Sequence, residues 1–210
     1  MEKLLRFNFN QRYVVFDTET EGLNLITSRP WQLSWLVATG KKVESYHDHY
    51  LDFPDINVSP QAARVTGFTK KEYIKRKEDP YHVFQRFWSD INREDTLIVG
   101  HNILKFDVYI INILRRLLQL PADWAYLPRC LDTNALSVAV KHKLQPPEGA
   151  NRLAWQYQLA HFRKKGVRTN MAAMLRYFDI PYDEARLHDG RYDMERNFEL
   201  FQSIINTIDL

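Results

Sequence analysis

The sequence predicts an α/β protein: a mixed sheet covered by helices on both faces. Three observations carry this. A short β-branched and aromatic run, Tyr13-Val14-Val15-Phe16, ends on an acid, Asp17. Two more strand-like segments, Trp31 to Thr39 and Val43 to Phe53, flank the tight turn Gly40-Lys41-Lys42 and make an antiparallel meander. Then the period changes: Val83, Phe84, Phe87, Trp88 and Ile91 recur at intervals of three and four, lining one face of a helix. A meander followed by alternating helices and strands is the pattern of a mixed sheet.

Taken in order, Tyr13 to Phe16 reads as a buried strand, Glu21 to Asn24 as a turn, and Pro54 to Pro60 as a loop. Thr69 to Lys77 and Tyr81 to Asn92 have helical spacing, and Thr96 to Gly100 is a fourth strand. Phe106 to Leu120 is a strongly apolar helix stopped by Pro121. Arg129 to Asp132 is a short fifth strand, with Asp132 or Thr133 capping a helix to about Lys141. Pro146, Pro147 and Gly149 make Lys143 to Asn151 a loop. Helices over Arg152 to Ala160 and Asn170 to Phe178 follow, the chain breaks at Asp179-Ile180-Pro181, and a helix over Tyr192 to Ile205 closes it. One domain over residues 1–210 is expected.

The chain has 210 residues, 45% hydrophobic and 26% charged, which is ordinary for a soluble globular protein. The single cysteine, Cys130, excludes an intrachain disulfide and a cysteine-based zinc cluster, and points to a reducing, cytoplasmic setting. No apolar run approaches a membrane span, and the N-terminus does not look like a secretory signal. A net charge of +3 permits nucleic acid as a partner without demanding it.

Three separated clusters carry the chemistry. Asp17 and Glu19 stand two apart on a strand, so both side chains point to one side, at the strand's C-terminal end where open α/β sheets bind ligands. Alone, such a pair says little. Asp107 follows Gly100-His101-Asn102 among Ile103, Leu104, Phe106, Val108 and Ile110, which marks it as a charge held against the core. His101 reads as a packing or hydrogen-bonding residue rather than a ligand. His188 precedes Asp193 by five residues, which places an imidazole on a loop beside an acid on a helix. Four carboxylates converging on one point repel unless cations sit between them, and hard divalent cations want oxygen ligands. A neutral imidazole nearby can take a proton from water.

Together these clusters resemble the DEDDh, DnaQ-like exonucleases. The first motif of that family is similar to Asp17-Thr18-Glu19-Thr20-Glu21-Gly22-Leu23, the second to Gly100-His101-Asn102 with Phe106-Asp107, and the third to His188 through Asp193. The order matches, and the resemblance runs from about Tyr13 to Ile205. Val65 to Thr69 and Cys130 to Thr133 add secondary likenesses, and Arg129 to Asp132 with Pro147-Glu148-Gly149 has a faint likeness to the nuclease domain of bacterial exonuclease I. Met194 departs from the small residue often found after the last aspartate.

The resemblance implies a ribonuclease H-like five-stranded sheet and 3′-to-5′ removal of nucleoside 5′-monophosphates with two divalent cations, Mg²⁺ or Mn²⁺. It implies that Asp17 bridges both ions, that Glu19 and Asp193 hold the one carrying the attacking water, that Asp107 acts through bound waters, and that His188 takes the proton. Thr18, Thr20, Gly22, Leu23, Asn102 and Phe106 are the implied substrate contacts, although Leu23 and Phe106 fit a core position equally well. The implied partner is a nucleic-acid 3′ end, single-stranded DNA first and RNA as an alternative, with a polymerase as a further candidate. The stretch from Lys141 to Asn170 holds seven basic residues against one acid, and Phe162-Arg163-Lys164-Lys165-Gly166 is the first candidate for backbone contact.

Overall fold

The computed structural model describes residues 10–162, 166–187 and 189–208. His188 and the basic residues 163–165 lie outside the described residues. The meander is built by β1 (Arg12–Thr20), β2 (Pro30–Thr39) and β3 (Lys42–Leu51), with β1 and β2 in register from Arg12↔Thr39 to Glu19↔Gln32 and an irregularity between Glu19 and Thr20. Helices α1 (Pro60–Thr66) and α2 (Lys70–Arg76) follow, then a two-residue strand β4 (Lys77–Glu78). Next come α3 (Pro80–Ile91), β5 (Thr96–Gly100), α4 (Asp107–Leu117) and β6 (Cys130–Asp132). The remaining helices are α5 (Thr133–His142), α6 (Arg152–His161), α7 (Met171–Tyr177) and α8 (Gly190–Ile205).

Among the described residues the sheet has six strands rather than the five expected, in the order β4-β3-β2-β1-β5-β6. The extra one arises because α2 ends a residue earlier than its spacing predicts: Lys77 turns extended and pairs in parallel with Tyr50. Two residues are too few to write a period-two pattern. α1 occupies a stretch with no assigned element. Ser59 caps it by accepting from the Ala62 N–H, and Pro60 opens it, but none of its residues is buried, so it leaves no apolar stripe to read.

The two faces of the sheet are visible at Tyr13 and Phe16. Tyr13 packs on Phe198 and Phe201 of α8, with ring centroids 5.8 and 5.4 Å away. Phe16 meets Phe87 of α3 at 5.0 Å, and Trp35 of β2 joins it at 5.5 Å. Side chains alternate along a strand, so the odd-numbered residues of β1 face α8 and the even-numbered ones face α3. Each of these buried rings contributes roughly 1.5–3 kcal/mol on leaving water. Asp90 of α3 accepts from Arg12 at 2.6 Å and from the Trp35 indole at 2.9 Å, which ties that helix to the sheet through polar contacts as well. Among the described residues no helix is long and apolar enough to cross a membrane.

Candidate active site

Asp17 and Glu19 leave the odd-numbered side of β1, the side that α8 covers. β1 outruns its pairing with β5, which ends at Val15↔Val99. Beyond that point the Thr18 N–H turns to a side chain: it donates to Asp107 Oδ1 at 3.0 Å, and the Thr18 hydroxyl donates to the same oxygen at 2.6 Å. Both donors of Thr18 thus serve the second acid.

Asp107 is buried in the first turn of α4. The loop before it is set by Asp132, at the end of β6, whose carboxylate accepts the N–H groups of Asn102 (3.0 Å) and Leu104 (3.1 Å) and also caps α5 through Asn134 and Ala135. Asn102 takes a left-handed φ of 66°. A Cβ on Gly100 would lie 2.8 Å from the Ile103 side chain, so only glycine lets this loop close.

Asp193 arrives on the first turn of α8, which Asp189 caps. A Cβ on Gly190 would lie 2.8 Å from Ser34 Oγ and 3.2 Å from Gln32 Nε2. Ser34 and Gln32 are the β2 residues paired with Asp17 and Glu19. The bare glycine therefore lets α8 begin directly against the strand pair that carries the first two acids. Ser34 and Gln32 are themselves fixed by Asp48 of β3, which accepts from them at 2.8 and 2.5 Å and pairs with Arg76 at 2.5 Å. Sequence reasoning missed this support. Its one visible trace is a pair of polar residues two apart on an otherwise apolar strand.

The electrostatics join the four acids. Burial, then the charges of Asp107, Glu19 and Asp193, raise the Asp17 pKa well above the carboxylate range. Burial, then Asp107 and Asp193, raise Glu19 from 4.5 to about 8. Burial raises Asp107 to about 7 even though both hydrogen bonds from Thr18 pull it down. Among the described residues, no three His, Cys, Asp or Glu side chains stand close enough to make a finished ion cage. The acids share a field more than a contact, as like charges do.

The other expected residues fall around this centre. Thr20 is buried, with its hydroxyl donating to the Gly22 carbonyl at 2.5 Å. Leu23 is 86% exposed, so it is not a core residue, and Phe106 is half-buried at the turn into α4. Asn102 lines a cavity of about 310 Å³ with Lys105, Asn134, His142, Phe162 and Thr169, and none of the four acids lines it. His101 pairs with Thr133 at 2.9 Å, and burial lowers its pKa to about 4, leaving it neutral near pH 7.

The exonuclease family RNase_T matches residues 14–201. The DNA polymerase III PolC-type of Pediococcus pentosaceus is 31% identical over 101 residues, which is 48% of this chain and 7% of that protein. In fold, the chain is similar to the zinc-bound E. coli exonuclease I–single-stranded DNA complex (TM-score 0.72, 18% identity, 94% of this chain and 41% of that one). It is also similar to E. coli exonuclease I with a dA16 oligonucleotide (TM-score 0.73, 17% identity, 94% and 41%). The chain thus spans about two fifths of these solved chains and a small part of the polymerase. The fold is ribonuclease H-like, and the chain belongs to the RNase_T family of DnaQ-like exonucleases.

Proposed function

We propose that the chain removes nucleoside 5′-monophosphates from the 3′ end of nucleic acid, with single-stranded DNA as the favoured substrate. The observation that supports this best is the raised pKa of Asp17, Glu19 and Asp107, due first to burial and, at Asp17 and Glu19, also to the charges of the neighbouring acids, Asp193 among them. The donor set fits Mg²⁺ or Mn²⁺: it offers only carboxylate oxygens, and a shared divalent charge would relieve their repulsion. These four residues would hold the cations. Bound there, a pair of divalent cations supplies positive charge against an in-line displacement at phosphorus.

The remaining roles fall to the chain's own groups. Thr18 keeps one Asp107 oxygen fixed. His188, two residues before α8, would take the proton of the attacking water at a ring nitrogen. Leu23, on the loop after Glu19, would press on the last base, and Phe106 and Asn102, before α4, would be further substrate contacts. Thr20 and Gly22 shape that loop. The solved relatives carrying single-stranded DNA and oligonucleotides support DNA as the substrate class.

The test is digestion of 3′- and 5′-labelled DNA and RNA oligomers with Mg²⁺, with Mn²⁺ and with EDTA. Stepwise shortening from the 3′ end with release of 5′-mononucleotides, stopped by EDTA, is expected. Internal cuts, or full activity in Asp17→Ala, would overturn the reading.

A further inference from the structure

The cavity that Asn102 lines is walled by residues from four parts of the chain, and three contacts among them tie those parts together. Lys105, on the loop before α4, donates through Nζ to the Ala160 carbonyl of α6 at 3.4 Å. His142, at the end of α5, meets the ring of Phe162, just after α6, with centroids 4.8 Å apart and planes at 62°. Thr169, before α7, donates its hydroxyl to Asn134 Oδ1 of α5 at 2.7 Å. All six residues line the same space of about 310 Å³. That volume stands at the lower end of the range for small-molecule sites. Contacts that join separate elements shape such a site before a ligand arrives, which removes part of the ordering cost of binding.

The residues of this wall have unspent polar capacity. Half-buried Lys105 has no carboxylate partner among the described residues, and its bond to Ala160 is long. An ammonium so placed favours an anion, and lysine serves phosphate as a point charge. Thr169 takes the Asn134 oxygen, which leaves the Asn134 Nδ2 donors without a protein partner among the described residues. Asp132 also lines the cavity, but its carboxylate already accepts four backbone N–H groups, from Asn102, Leu104, Asn134 and Ala135. Phe162 is 41% exposed and offers an aromatic surface of the kind on which bases stack. A cation without an acid, an amide with donors to give and an aromatic ring, all around one small space, match the phosphate, the base edge and the base face of a nucleotide.

We propose that this cavity is a second nucleotide site, apart from the four acids, in which Lys105 takes the phosphate, Phe162 stacks on the base and Asn134 donates to the base edge. The occupant is one nucleotide unit, whether joined in a strand or free as a 5′-mononucleotide. Lys105 stands two residues before Asp107, so either occupant bears on the loop that carries the second acid.

The experiment is calorimetric titration with deoxyadenosine 5′-monophosphate in EDTA, for the wild type, Asp17→Ala, Lys105→Gln, Phe162→Ala and Asn134→Asp. The wild type and Asp17→Ala should bind it equally. Lys105→Gln and Phe162→Ala should each weaken binding by about tenfold or more. Deoxyadenosine should bind more weakly than the monophosphate and lose nothing further in Lys105→Gln. Deoxyribose 5-phosphate should lose nothing in Phe162→Ala. Asn134→Asp keeps an oxygen for Thr169 and puts an acid in the first turn of α5, where the helix dipole favours it, so the fold should hold while the monophosphate is repelled. A merely structural role for Lys105 or Phe162 would weaken all three ligands alike. That uniform loss, unchanged affinity in Lys105→Gln and Asn134→Asp, loss of binding in Asp17→Ala, or no binding to the wild type would each overturn the site. A short DNA strand that displaces the monophosphate identifies the occupant as a nucleotide of the strand, and one that binds beside it identifies the free mononucleotide. No turnover is measured, so failure of the 3′-end reading would leave these outcomes intact.

Discussion

Thr18 gives both of its donors to one oxygen of Asp107, the backbone N–H at 3.0 Å and the hydroxyl at 2.6 Å. A strand residue from the first motif therefore fixes the acid of the second. Those bonds favour the ionised carboxylate and hold the Asp107 pKa below where burial alone would put it. In Thr18→Val the hydroxyl is gone and that pKa rises. The acid limb of the pH–rate profile should move to higher pH, and activity near pH 7 should fall by ~10–100-fold, the usual cost of losing a group that orients a ligand. An unmoved acid limb would show that Asp107 needs no such help.

The cation-free protein should lose stability as pH rises. Glu19 and Asp107 titrate near 8 and 7 when folded, far above their unfolded values, so the folded state binds more protons. Below about pH 4 both states are protonated and the acids cost nothing. Between there and about pH 8 the unfolded chain ionises first and stability falls. Adding Mg²⁺ should raise Tm little at pH 5 and most at pH 8, as thermal scans with Mg²⁺ and with EDTA would record.

Burial of Glu19, together with repulsion from Asp107 and Asp193, predicts an exchange of activity for stability. Glu19→Gln should abolish turnover yet raise the Tm of the EDTA-treated protein at pH 8, by about 2–4 °C for each kcal/mol of repulsion relieved. At pH 4 the difference should vanish. A variant less stable than wild type at pH 8 would mean that the acids do not strain one another.

His188→Ala should reduce kcat by ~10²–10⁴-fold, the range for loss of a general base, while leaving the Mg²⁺-induced rise in Tm intact. Loss of that rise would make His188 a ligand instead.

Gly190→Ala tests the close approach of α8 to β2. Ser34, the nearest neighbour, is held by Asp48 and cannot simply swing away from a new methyl. The start of α8 should shift by a few tenths of an ångström, carrying Asp193 with it. Activity should fall by more than tenfold with a Tm loss of only a few degrees, since the apolar face of α8, Phe198, Phe201 and Ile204, remains packed.

Much of this was legible in the sequence because it rests on local rules. Thr96–Gly100 is a strand of apolar residues bounded by a turn, and Asp132 does cap the following helix, accepting from Asn134 and Ala135. The acids of β1 were readable because alternation alone puts Asp17 and Glu19 on one side. What stayed hidden depends on distant partners. Asp48 is an ordinary mid-strand acid until β3 sets it across from Ser34. Gly190 resembles any helix-starting glycine until its distance to β2 is known. The ion pair between Glu21 and Arg29 joins residues whose pairing no short-range period encodes, and the exposure of Leu23 could not be told from its apolar side chain.

The acids come from three elements that only tertiary docking joins: β1, the start of α4 and the start of α8, the last of these laid across β1, β2, β3 and β5. On the function proposed above, an unravelled or half-assembled molecule would own every one of these carboxylates and still have no cutting centre. For a hydrolase that could damage a cell's own polymers, chemical competence would arrive together with the native state, and loosening α8 would disarm it before the rest of the sheet melts.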